Sequence, residues 1–500
     1  MNDRVAMGVD LGTSGCKVAF VDEFGRPQVI RSRDGEDVTP SVVAVDENGN
    51  LIVGSAAYRM LFSNPQRAVR DFKLKLGSRE PVCTVDGRSF TAKDMATALL
   101  SQLHTDAARA LEHDVRICVL THPANFMEDQ KQDLLDAARE AGLDVRRLLP
   151  EPSAAALAFG LHRPTVGTIL VFDLGGGTFD VSLAEFNGDE GRILGTAGEP
   201  ALGGRDFDHC LMEYVLEGFE KQMGFRPDLD TERAVLADLV ERCDSAKRTL
   251  ATRPSTTVTI GSGGKYATVD VTRETFESLT AALVARAVQT CTDLLALKKM
   301  DWSSIRQLVL VGGGSLIPGV KEAIERESGL RAVTAVDPLR AVSYGAAIQA
   351  AIEVGGQVID GRSIPAPRMA MKDVTTYDVG CIVDHPELGH RQTVIVPRHS
   401  TIPGTYSDCF RLKYPDQTQA DFRFCQGNEG DPPDRCVDLG RIVLEDLPPD
   451  PSLPKRIHAE IVFDANAMVE ARVTDRISGK SRQLTCDCRR LVTRLGSSPN

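Results

Sequence analysis

Two stretches of the sequence share one design and decide the fold of the first 350 residues. The first is VDLGTSG at residues 9–15, and the second is FDLGGGTFD at residues 172–180. Each begins with an apolar run that ends in an aspartate, passes through a glycine-rich turn with a threonine, and enters a second strand-like run. The two aspartates, Asp10 and Asp173, are about 160 residues apart. This repetition predicts two related halves, each built on a strand–turn–strand unit.

The residue types in these turns are suited to binding phosphate. Glycines let backbone N–H groups approach phosphate oxygens closely, and a threonine hydroxyl adds a further donor. An aspartate at the end of a strand can hold hydrated Mg²⁺. The alternative is a pair of ordinary glycine-rich hairpin turns, but two turns with the same aspartate and threonine make it the weaker interpretation. We therefore predict that the two halves close on one nucleotide.

The composition is that of an ordinary globular protein and argues against several classes of function. The 500 residues carry 58 basic and 70 acidic side chains, a net charge of −12. This balance argues against broad binding to nucleic acid or to anionic membranes. No apolar run reaches the ~18 residues that a membrane-spanning helix needs, and the N-terminus becomes polar too early for a signal peptide. We expect a cytoplasmic protein whose twelve cysteines are free thiols.

The pattern of the sequence changes near residue 355. Before it, apolar strand-like runs alternate with amphipathic helical stretches, which predicts an α/β domain. One helix is expected from Asp94 to Leu111 with a capping box that starts at Thr91, and another from Glu128 to Ala141. After it, short alternating segments between turn residues predict an all-β module. The predicted boundaries are 1–362 for the α/β domain, 363–373 for a linker, 374–488 for the β module and 489–500 for a disordered tail.

Several short motifs, in a consistent order, carry a resemblance to a known family. The two aspartate–glycine–threonine turns are similar to those of the actin/hexokinase/chaperone ATPase superfamily. Within it, the chain resembles the 70-kilodalton heat-shock chaperone family, through Thr39-Pro40-Ser41, Asn64-Pro65, Pro123–Phe126, Glu151–Ala156, Leu202–Asp208, Ala246–Leu250 and Val311–Gly314. The β module resembles that family's peptide-binding sandwich, through Pro397–Pro403 and Phe463–Asn466. The resemblance implies a two-lobed, actin-like α/β ATPase domain followed by an all-β sandwich.

The resemblance also implies roles for individual residues in an ATP site with Mg²⁺. The implied catalytic residues, which position the attacking water or contact the γ-phosphate side, are Lys73, Glu151, Asp173 and Thr178. The implied Mg²⁺ residues are Asp10, Asp173 and Asp180. The implied ATP-binding residues are Gly12, Thr13, Ser14, Gly175, Gly176, Gly177, Gly203, Gly204, Asp244, Lys247, Arg248, Gly313 and Gly314.

Without the resemblance, some of these residues would be interpreted differently. Lys73 would be a surface lysine on the rim of a helix, and Asp180 could equally be a solvent-exposed residue at the end of a strand. Asp244, Lys247 and Arg248 have helical spacing and would form a solvated ion-pair face. Each of these alternatives predicts that the side chain is exposed to solvent.

The chain departs from the family at positions that affect nucleotide binding and coupling. Leu316 stands where the family has an arginine that stacks on adenine, and Arg205 replaces an acidic residue. We therefore expect weaker or differently balanced nucleotide binding. The linker run Met369–Asp373 is less apolar than the family's leucine-rich run, which puts coupling of the nucleotide state to the β module in doubt. Arg147, together with Asp373, matches a pair that the family uses for J-domain co-chaperones.

For the β module, the resemblance implies a groove that holds an extended polypeptide. The apolar arch over the groove falls on Arg391-Gln392, and the central pocket falls on Ala420. Phe410, Phe422 and Phe424 are expected in the core of the sandwich rather than in contact with a peptide. The family's helical lid is expected to be absent, which predicts fast release of peptide.

The function that fits best is an ATP-dependent molecular chaperone of the heat-shock, stress-response type, which hydrolyses ATP slowly and binds unfolded or extended polypeptides. Its implied partners are a J-domain co-chaperone and a nucleotide-exchange factor, with no nucleic acid or membrane. One alternative is a carbohydrate kinase of the same superfamily, because Asp10 to Lys17 resembles that family's first phosphate loop. The other is a nucleotide-sensing scaffold that binds ATP without hydrolysing it.

Overall fold

The computed structural model describes residues 5–162, 166–333, 337–359, 361–385, 387, 389–414, 416–449, 455–464 and 468–485. It divides into two compact units, one formed by residues 1–124 and 134–371 and the other by residues 125–133 and 372–500. We call them the α/β unit and the β unit. The predicted tail, residues 489–500, lies outside the described residues. Among the described helices, none combines the length and apolarity that crossing a bilayer requires.

The first half of the α/β fold is built on a mixed sheet. Its elements are β1 (Met7–Asp10), β2 (Gly15–Val21), β3 (Pro27–Ile30), β4 (Thr39–Pro40), β5 (Val42–Val45), β6 (Leu51–Val53), α1 (Ser55–Ser63), β7 (Ala68–Arg70), β8 (Cys83–Val85), β9 (Arg88–Phe90), α2 (Ala92–Leu111), β10 (Ile117–His122), α3 (Glu128–Glu140), β11 (Asp144–Pro150) and α4 (Glu151–His162). The strand order is β11-β10-β1-β2-β3. Strand β1 is antiparallel to β2 and parallel to β10.

The second half repeats this arrangement. Its elements are β12 (Val166–Leu174), β13 (Phe179–Asn187), β14 (Glu190–Glu199), α5 (Gly204–Met223), α6 (Arg233–Thr252), β15 (Ser255–Ser262), β16 (Lys265–Thr272), α7 (Arg273–Leu297), β17 (Ile305–Val311), α8 (Pro318–Ser328), β18 (Ala332–Val333), α9 (Ala341–Glu353), β19 (Gln357–Ile359) and β20 (Arg362–Ile364). The order β18-β17-β12-β13-β14 has the same strand directions as the first sheet. The duplication predicted from the two turns is therefore present.

Helices α4 and α9 pack closely because small residues lie at their contact. A Cβ atom added to Gly345 of α9 would lie 1.8 Å from the Ala154 carbonyl oxygen. A Cβ atom added to Gly8 of β1 would lie 2.1 Å from the Ala347 nitrogen. No side chain fits at either glycine, since interiors are packed to near-crystalline density. This packing holds the end of β1 and the start of α4, where two candidate site residues lie.

The two helices predicted in the first half are confirmed. Helix α2 begins after Thr91, whose backbone N–H donates to Asp94 Oδ2 at 2.8 Å, while Thr91 Oγ1 accepts from the Asp94 N–H at 3.3 Å. This is the expected capping box, in which each residue satisfies a donor of the other. Helix α3 ends at Glu140, and Gly142 follows with a φ of +80°, a conformation that glycine adopts without strain.

The β unit is a sandwich of two four-stranded sheets. Its strands, after β21 (Ala370–Val374), are β22 (Asp378–His385), β23 (Gly389–Val396), β24 (Thr401–Ile402), β25 (Gly404–Phe410), β26 (Ala420–Gly427), β27 (Val437–Leu444), β28 (Ile457–Phe463), β29 (Val469–Asp475) and β30 (Ser481–Thr485). The sheet orders are β23-β22-β26-β27 and β25-β28-β29-β30. Phe422 and Phe424 are buried in the core, and Phe410 packs on it edge-on to Phe422, so the core assignment of these rings is confirmed.

A buried ion pair joins the start of β28 to the end of β29. Two nitrogens of the Arg456 guanidinium bind the two Asp475 oxygens, each at 2.7 Å, and both side chains are almost fully buried. The Asp475 carboxylate also accepts from the hydroxyl and backbone N–H of Ser478. Hydrogen bonds from Arg456 and Ser478 hold the pKa of Asp475 well below its usual range. Every oxygen of the carboxylate is satisfied, which a buried charge requires.

Replacing Asp475 with Asn leaves the Arg456 cation buried without its anion. We expect local destabilisation of about 3–5 kcal/mol, measured as faster hydrogen exchange in peptides from β28 and β29 of the full chain. Asp421→Asn, which breaks the exposed pair with Arg441, is the control and should change exchange little. Because the pKa of Asp475 is depressed in the folded state, its stabilisation is present above the unfolded pKa and is lost as pH falls. Equal exchange in both variants would contradict the assignment.

Candidate functional site

The two predicted phosphate turns face each other in the α/β unit. A Cβ atom on Gly176 would lie 2.1 Å from Ser14 Oγ, and one on Gly177 would lie 2.7 Å from Thr13 Cγ2. Glycine is required at both positions because the opposite turn occupies the space of a side chain. The side chains of Thr13 and Ser14 therefore pack against the backbone of Gly176 and Gly177. The structure brings Gly12–Ser14 and Gly175–Thr178 together, as the sequence predicted.

Lys73 and Glu151 form a close ion pair. The Lys73 Nζ lies 2.6 Å from Glu151 Oε1, and the lysine side chain is 2% exposed. Lys73 lies on a 3-10 turn, Phe72–Lys75, and Glu151 is the first residue of α4. Burial raises the pKa of Glu151, while Lys73 opposes that rise. The interpretation of Lys73 as a surface lysine is therefore wrong, since a buried ammonium needs a paired carboxylate.

Two further carboxylates, Asp173 and Asp180, lie side by side on neighbouring strands. They are opposite one another in the register of β12 and β13. Burial, and then the carboxylates of Glu151, Asp180 and Asp10, raise the pKa of Asp173 well above its usual value. Burial and Glu151 raise the pKa of Asp180 to about 7. Asp180 is 2% exposed, so its interpretation as a solvent residue at a strand end is wrong.

The donor set fits a hydrated Mg²⁺ ion. Within the part of the chain that the structure describes, Asp180 Oδ1 is buried and has no hydrogen-bond partner. A cation nearby would satisfy this oxygen and relieve the repulsion among Asp10, Asp173 and Asp180. The described residues contain no cluster of three or more protein ligands arranged around a single metal position. Mg²⁺ suits such a place, because it retains several waters and takes only one or two carboxylates together with phosphate oxygens.

The three predicted site residues on α6 differ in how deeply their side chains are buried. Lys247 points inward, where its Nζ lies 2.8 Å from Asp208 Oδ2 and donates to the Gly204 carbonyl oxygen at 3.1 Å. Asp244 pairs with both Lys247 and Arg248, and although burial opposes it, these cations hold the pKa of Asp244 below its usual value. The Arg248 side chain is largely exposed. The solvated-face interpretation therefore holds for Arg248 and is wrong for Lys247.

The turn before α5 rests on the second phosphate turn. The backbone N–H of Gly204 donates to the Gly175 carbonyl oxygen and that of Arg205 to the Gly176 carbonyl oxygen, each at 2.9 Å. A Cβ atom on Gly203 would lie 2.5 Å from the backbone of Gly177. Gly203, Gly204 and Lys247 are consequently part of the same local structure as the turn at residues 175–178.

A third glycine-rich turn, at residues 312–314, packs against the end of β12. A Cβ atom on Gly312 would lie 2.3 Å from the Leu174 carbonyl oxygen and 2.5 Å from Asp173 Oδ1. Gly314 is packed against the Leu174 side chain, whereas Gly313 is exposed, with a Leu339 methyl next to it. Leu316 and Leu339 are both nearly half exposed, although large apolar side chains are usually buried. Exposed apolar surface beside this turn is suited to the flat face of a base.

Two residues of this site were missed by the sequence analysis. Asp208 is buried against Lys247, and burial raises the pKa of Asp208 to about 6. It is the last residue of the quoted motif Leu202–Asp208, which was the available signal. Lys17 lies 3.4 Å from Asp10 Oδ2, with the side chain 13% exposed. Its signal was a lysine that follows a phosphate turn directly, at the start of the second strand.

The structure also describes the linker run and Arg147, which the resemblance assigns to co-chaperone signalling. Met371 packs beside Gly191, where a Cβ atom would lie 2.9 Å from the Met371 methyl carbon. Met369 similarly occupies the space beside Gly160. Arg147 donates to the Met371 carbonyl oxygen at 3.4 Å and pairs with Glu353, and its side chain is mostly buried. Arg147 is therefore not an exposed surface charge, and Asp373 is buried as well.

Comparison with known protein families gives a result that spans nearly the whole chain. The family model described as "Hsp70 protein" matches residues 6–493. The match includes the two phosphate turns, the Lys73–Glu151 pair and the β-sandwich, so it rests on both units. Members of this family are ATP-dependent chaperones that hydrolyse ATP with Mg²⁺, bind unfolded polypeptides and act with J-domain and nucleotide-exchange co-chaperones. The chain belongs to the Hsp70 family.

Proposed function

We propose that this chain binds Mg·ATP between the two phosphate turns, hydrolyses it slowly, and uses this cycle to control polypeptide binding by the β unit. The observation that carries the proposal is the buried Lys73–Glu151 pair, whose carboxylate interacts electrostatically with Asp10 and Asp173. A buried ion pair is costly to build, and clusters of perturbed carboxylates are characteristic of functional sites. The ten described cysteines are all free, which supports a reducing compartment such as the cytoplasm.

Different residues of the proposed cleft bind phosphate, position the attacking water and hold Mg²⁺. Backbone N–H groups of the glycine turns, with the hydroxyls of Thr13 and Thr178, bind phosphate oxygens. Lys73 and Glu151 hold the attacking water, because the ammonium donates to it and the carboxylate accepts from it. A bound Mg²⁺ would neutralise charge on the β- and γ-phosphates, held near Asp10, Asp173 and Asp180. With its raised pKa, the Glu151 carboxyl can also take up the proton that the water releases.

The base and ribose are assigned to the surface between α6 and the third glycine turn. Arg248 offers a planar cation that can stack on a purine. Leu316 and Leu339 offer apolar contact, and the stacking arginine of the family is missing at position 316. We propose that ATP binds in this orientation with lower affinity than a site with two stacking arginines would give.

Two alternatives are less well supported. A carbohydrate kinase accounts for the turn from Asp10 to Lys17, but it does not account for a family match that continues through the β-sandwich. A scaffold without hydrolysis would have no need for a buried Lys73–Glu151 pair. Single-turnover hydrolysis of ATP, with and without unfolded peptide and with a sugar as competing acceptor, separates all three functions.

The β unit is proposed to hold an extended polypeptide. Of the two arch residues, Gln392 is 3% exposed and donates to the Asp378 carbonyl oxygen, so its amide is engaged within the sandwich. Arg391 is the more accessible of the two arch residues. Ala420 is buried and small, which leaves little apolar surface at the proposed central pocket. A polar arch and a shallow pocket favour weak binding and a preference away from leucine-rich peptides.

Replacing Lys73 or Thr178 with Ala should reduce hydrolysis more than binding. Both side chains are assigned to groups that gain charge in the transition state, so kcat should fall at least about a hundredfold while nucleotide affinity changes much less. Single-turnover rates and titration with a fluorescent nucleotide measure the two quantities. Lys75→Ala changes an exposed lysine on the same turn and should leave both unchanged. Wild-type turnover in either test variant would overturn the catalytic assignments.

Tyr58 links the two halves of the α/β unit away from the phosphate turns. Its hydroxyl on α1 donates to Glu241 Oε2 on α6, the helix that carries Asp244 and Arg248. Burial and this hydrogen bond raise the pKa of Tyr58. We expect Tyr58→Phe to speed nucleotide dissociation at least about tenfold, since a hydrogen bond to a charged group contributes roughly 1.5 to 3 kcal/mol. Displacement of a fluorescent ADP measures this, and exposed Tyr266→Phe should leave the rate unchanged.

Peptide release tests the second part of the proposal. With a labelled extended peptide, we expect an affinity on the order of micromolar or weaker, because the arch and pocket offer little apolar contact. Dissociation should be fast in both ADP and ATP, and only modestly faster in ATP. Stopped-flow fluorescence with excess unlabelled peptide gives both rates. Slow release that depends strongly on the nucleotide would contradict this expectation and indicate a tighter clamp.

A further inference from the structure

Helices α7 and α8 border an open groove in the second half of the α/β unit. Its volume is about 450 Å³. On α7 the lining residues have helical spacing from Glu277 to Thr292, and on the other side they run from Ile317 to Glu327. Helix α8 has 11 residues, which at a rise of about 1.5 Å per residue is about 16 Å. The groove is therefore long enough for about three turns of another helix.

The apolar part of the lining consists mainly of small side chains that remain accessible. Ala281 and Ala285 are exposed on α7, one helical turn apart, and Val288 and Ala323 are half-buried. Small side chains on a helix allow a second helix to approach to about 8 Å, the short end of the usual range. The groove can therefore receive larger apolar side chains from a partner.

The polar lining side chains of α7 already have partners within that helix. The hydroxyls of Thr280 and Thr292 each donate to the carbonyl oxygen four residues earlier, at 2.9 and 3.4 Å, and Gln289 Nε2 donates to Asp293 Oδ1 at 2.8 Å. A small ligand needs convergent polar groups to fix its orientation, and these groups are used elsewhere. An extended peptide is also a poor fit, because helical walls offer no free backbone edge to pair with.

The charged lining side chains carry an excess of negative charge. Three carboxylates, those of Glu277, Glu322 and Glu327, and the one guanidinium of Arg326 give a net charge of −2. Within the described part of the chain, none of these four side chains forms an ion pair. Such charges attract a partner of opposite charge and repel one of the same charge. The groove therefore favours a partner that combines apolar and basic side chains.

We propose that the groove between α7 and α8 docks a short amphipathic helix of a partner protein, with apolar side chains toward Ala285 and Ala323 and lysines or arginines toward the lining glutamates. A helix satisfies its own backbone hydrogen bonds, so it needs only the apolar contact and the charges that this groove offers. The proposal describes a second interaction surface. It depends neither on ATP hydrolysis nor on polypeptide binding by the β unit.

The probe is a fluorescent peptide of about twelve residues, with leucines at i, i+4 and i+7, lysines beside them, and a side-chain lactam that locks the helix. A locked helix cannot adopt the extended form that the β unit is proposed to hold. Anisotropy with the full chain should give a dissociation constant on the order of 10 μM, as expected for a small interface. The same peptide with glutamate in place of each lysine should bind at least about tenfold more weakly.

Two variants of α7 test whether the peptide binds in the groove. Ala285→Arg adds a bulky cation to the apolar lining at an exposed position, so it should weaken binding of the lysine peptide at least about tenfold. Ala282→Arg adds the same group to an exposed alanine that does not line the groove, and should leave binding unchanged. Glu322→Gln combined with Glu327→Gln should weaken binding at low salt and make it less sensitive to added NaCl.

Hydrogen exchange locates the complex without any substitution, even if Ala285→Arg fails to fold. Adding the lysine peptide to the wild type should slow exchange in α7 and α8 and leave the strands of the β unit unchanged. Binding of the probe by a chain that does not hydrolyse ATP would support the groove while the proposed function fails.

Four results would overturn the proposal. They are no binding at probe concentrations on the order of 1 mM, equal binding of the lysine and glutamate peptides, equal affinity of Ala285→Arg and Ala282→Arg, and unchanged exchange in α7 and α8.

Discussion

The α/β unit depends on holding four carboxylates and two ammonium groups out of water at a single place. Water solvates such charges far better than a protein interior does, so each must find a partner or shift its pKa. Lys73 with Glu151 and Lys17 with Asp10 make two pairs at 2.6 and 3.4 Å. Asp173 and Asp180 have no cation on their own strands, and burial raises the pKa of both. This arrangement of charges suits the cation and the phosphate groups that we propose to bind here.

Glycine is the second requirement of the site, because the turns come closer than side chains permit. Gly176 and Gly177 meet Ser14 and Thr13, and Gly203 lies against Gly177. The same close approach brings the two turns together in the place where phosphate oxygens are proposed to bind. Small residues between α4 and α9 serve a related purpose, since their close packing holds the end of β1 and the start of α4. Close packing therefore sets both the path of the backbone around the site and the distance between the phosphate turns.

The β unit also contains buried charged groups, but it stabilises them differently. Arg456 and Asp475 are buried together, but here every carboxylate oxygen has a donor and the pKa is lowered rather than raised. A fully satisfied pair is a structural element with no unused bonding capacity. Asp180, by contrast, retains an oxygen without a hydrogen-bond partner among the described residues. In these two cases, the pKa is lowered for the fully hydrogen-bonded carboxylate and raised for the carboxylate that has an unpartnered oxygen.

Local patterns in the sequence were sufficient for the duplicated halves, the capping box at Thr91 and the change to an all-β module. Glycine turns, helix caps and strand alternation are properties of neighbouring residues, so short stretches encode them. The family resemblance added Lys73 and Glu151 as candidates, and the structure places these two side chains in contact. The tertiary structure alone decided that Lys73 and Asp180 are buried, that Lys247 turns inward to Asp208 while Arg248 stays exposed, and that Lys17 faces Asp10. These outcomes depend on burial and on partners far away in the chain, because the pKa and the contacts of a charged side chain are set by what surrounds it in space.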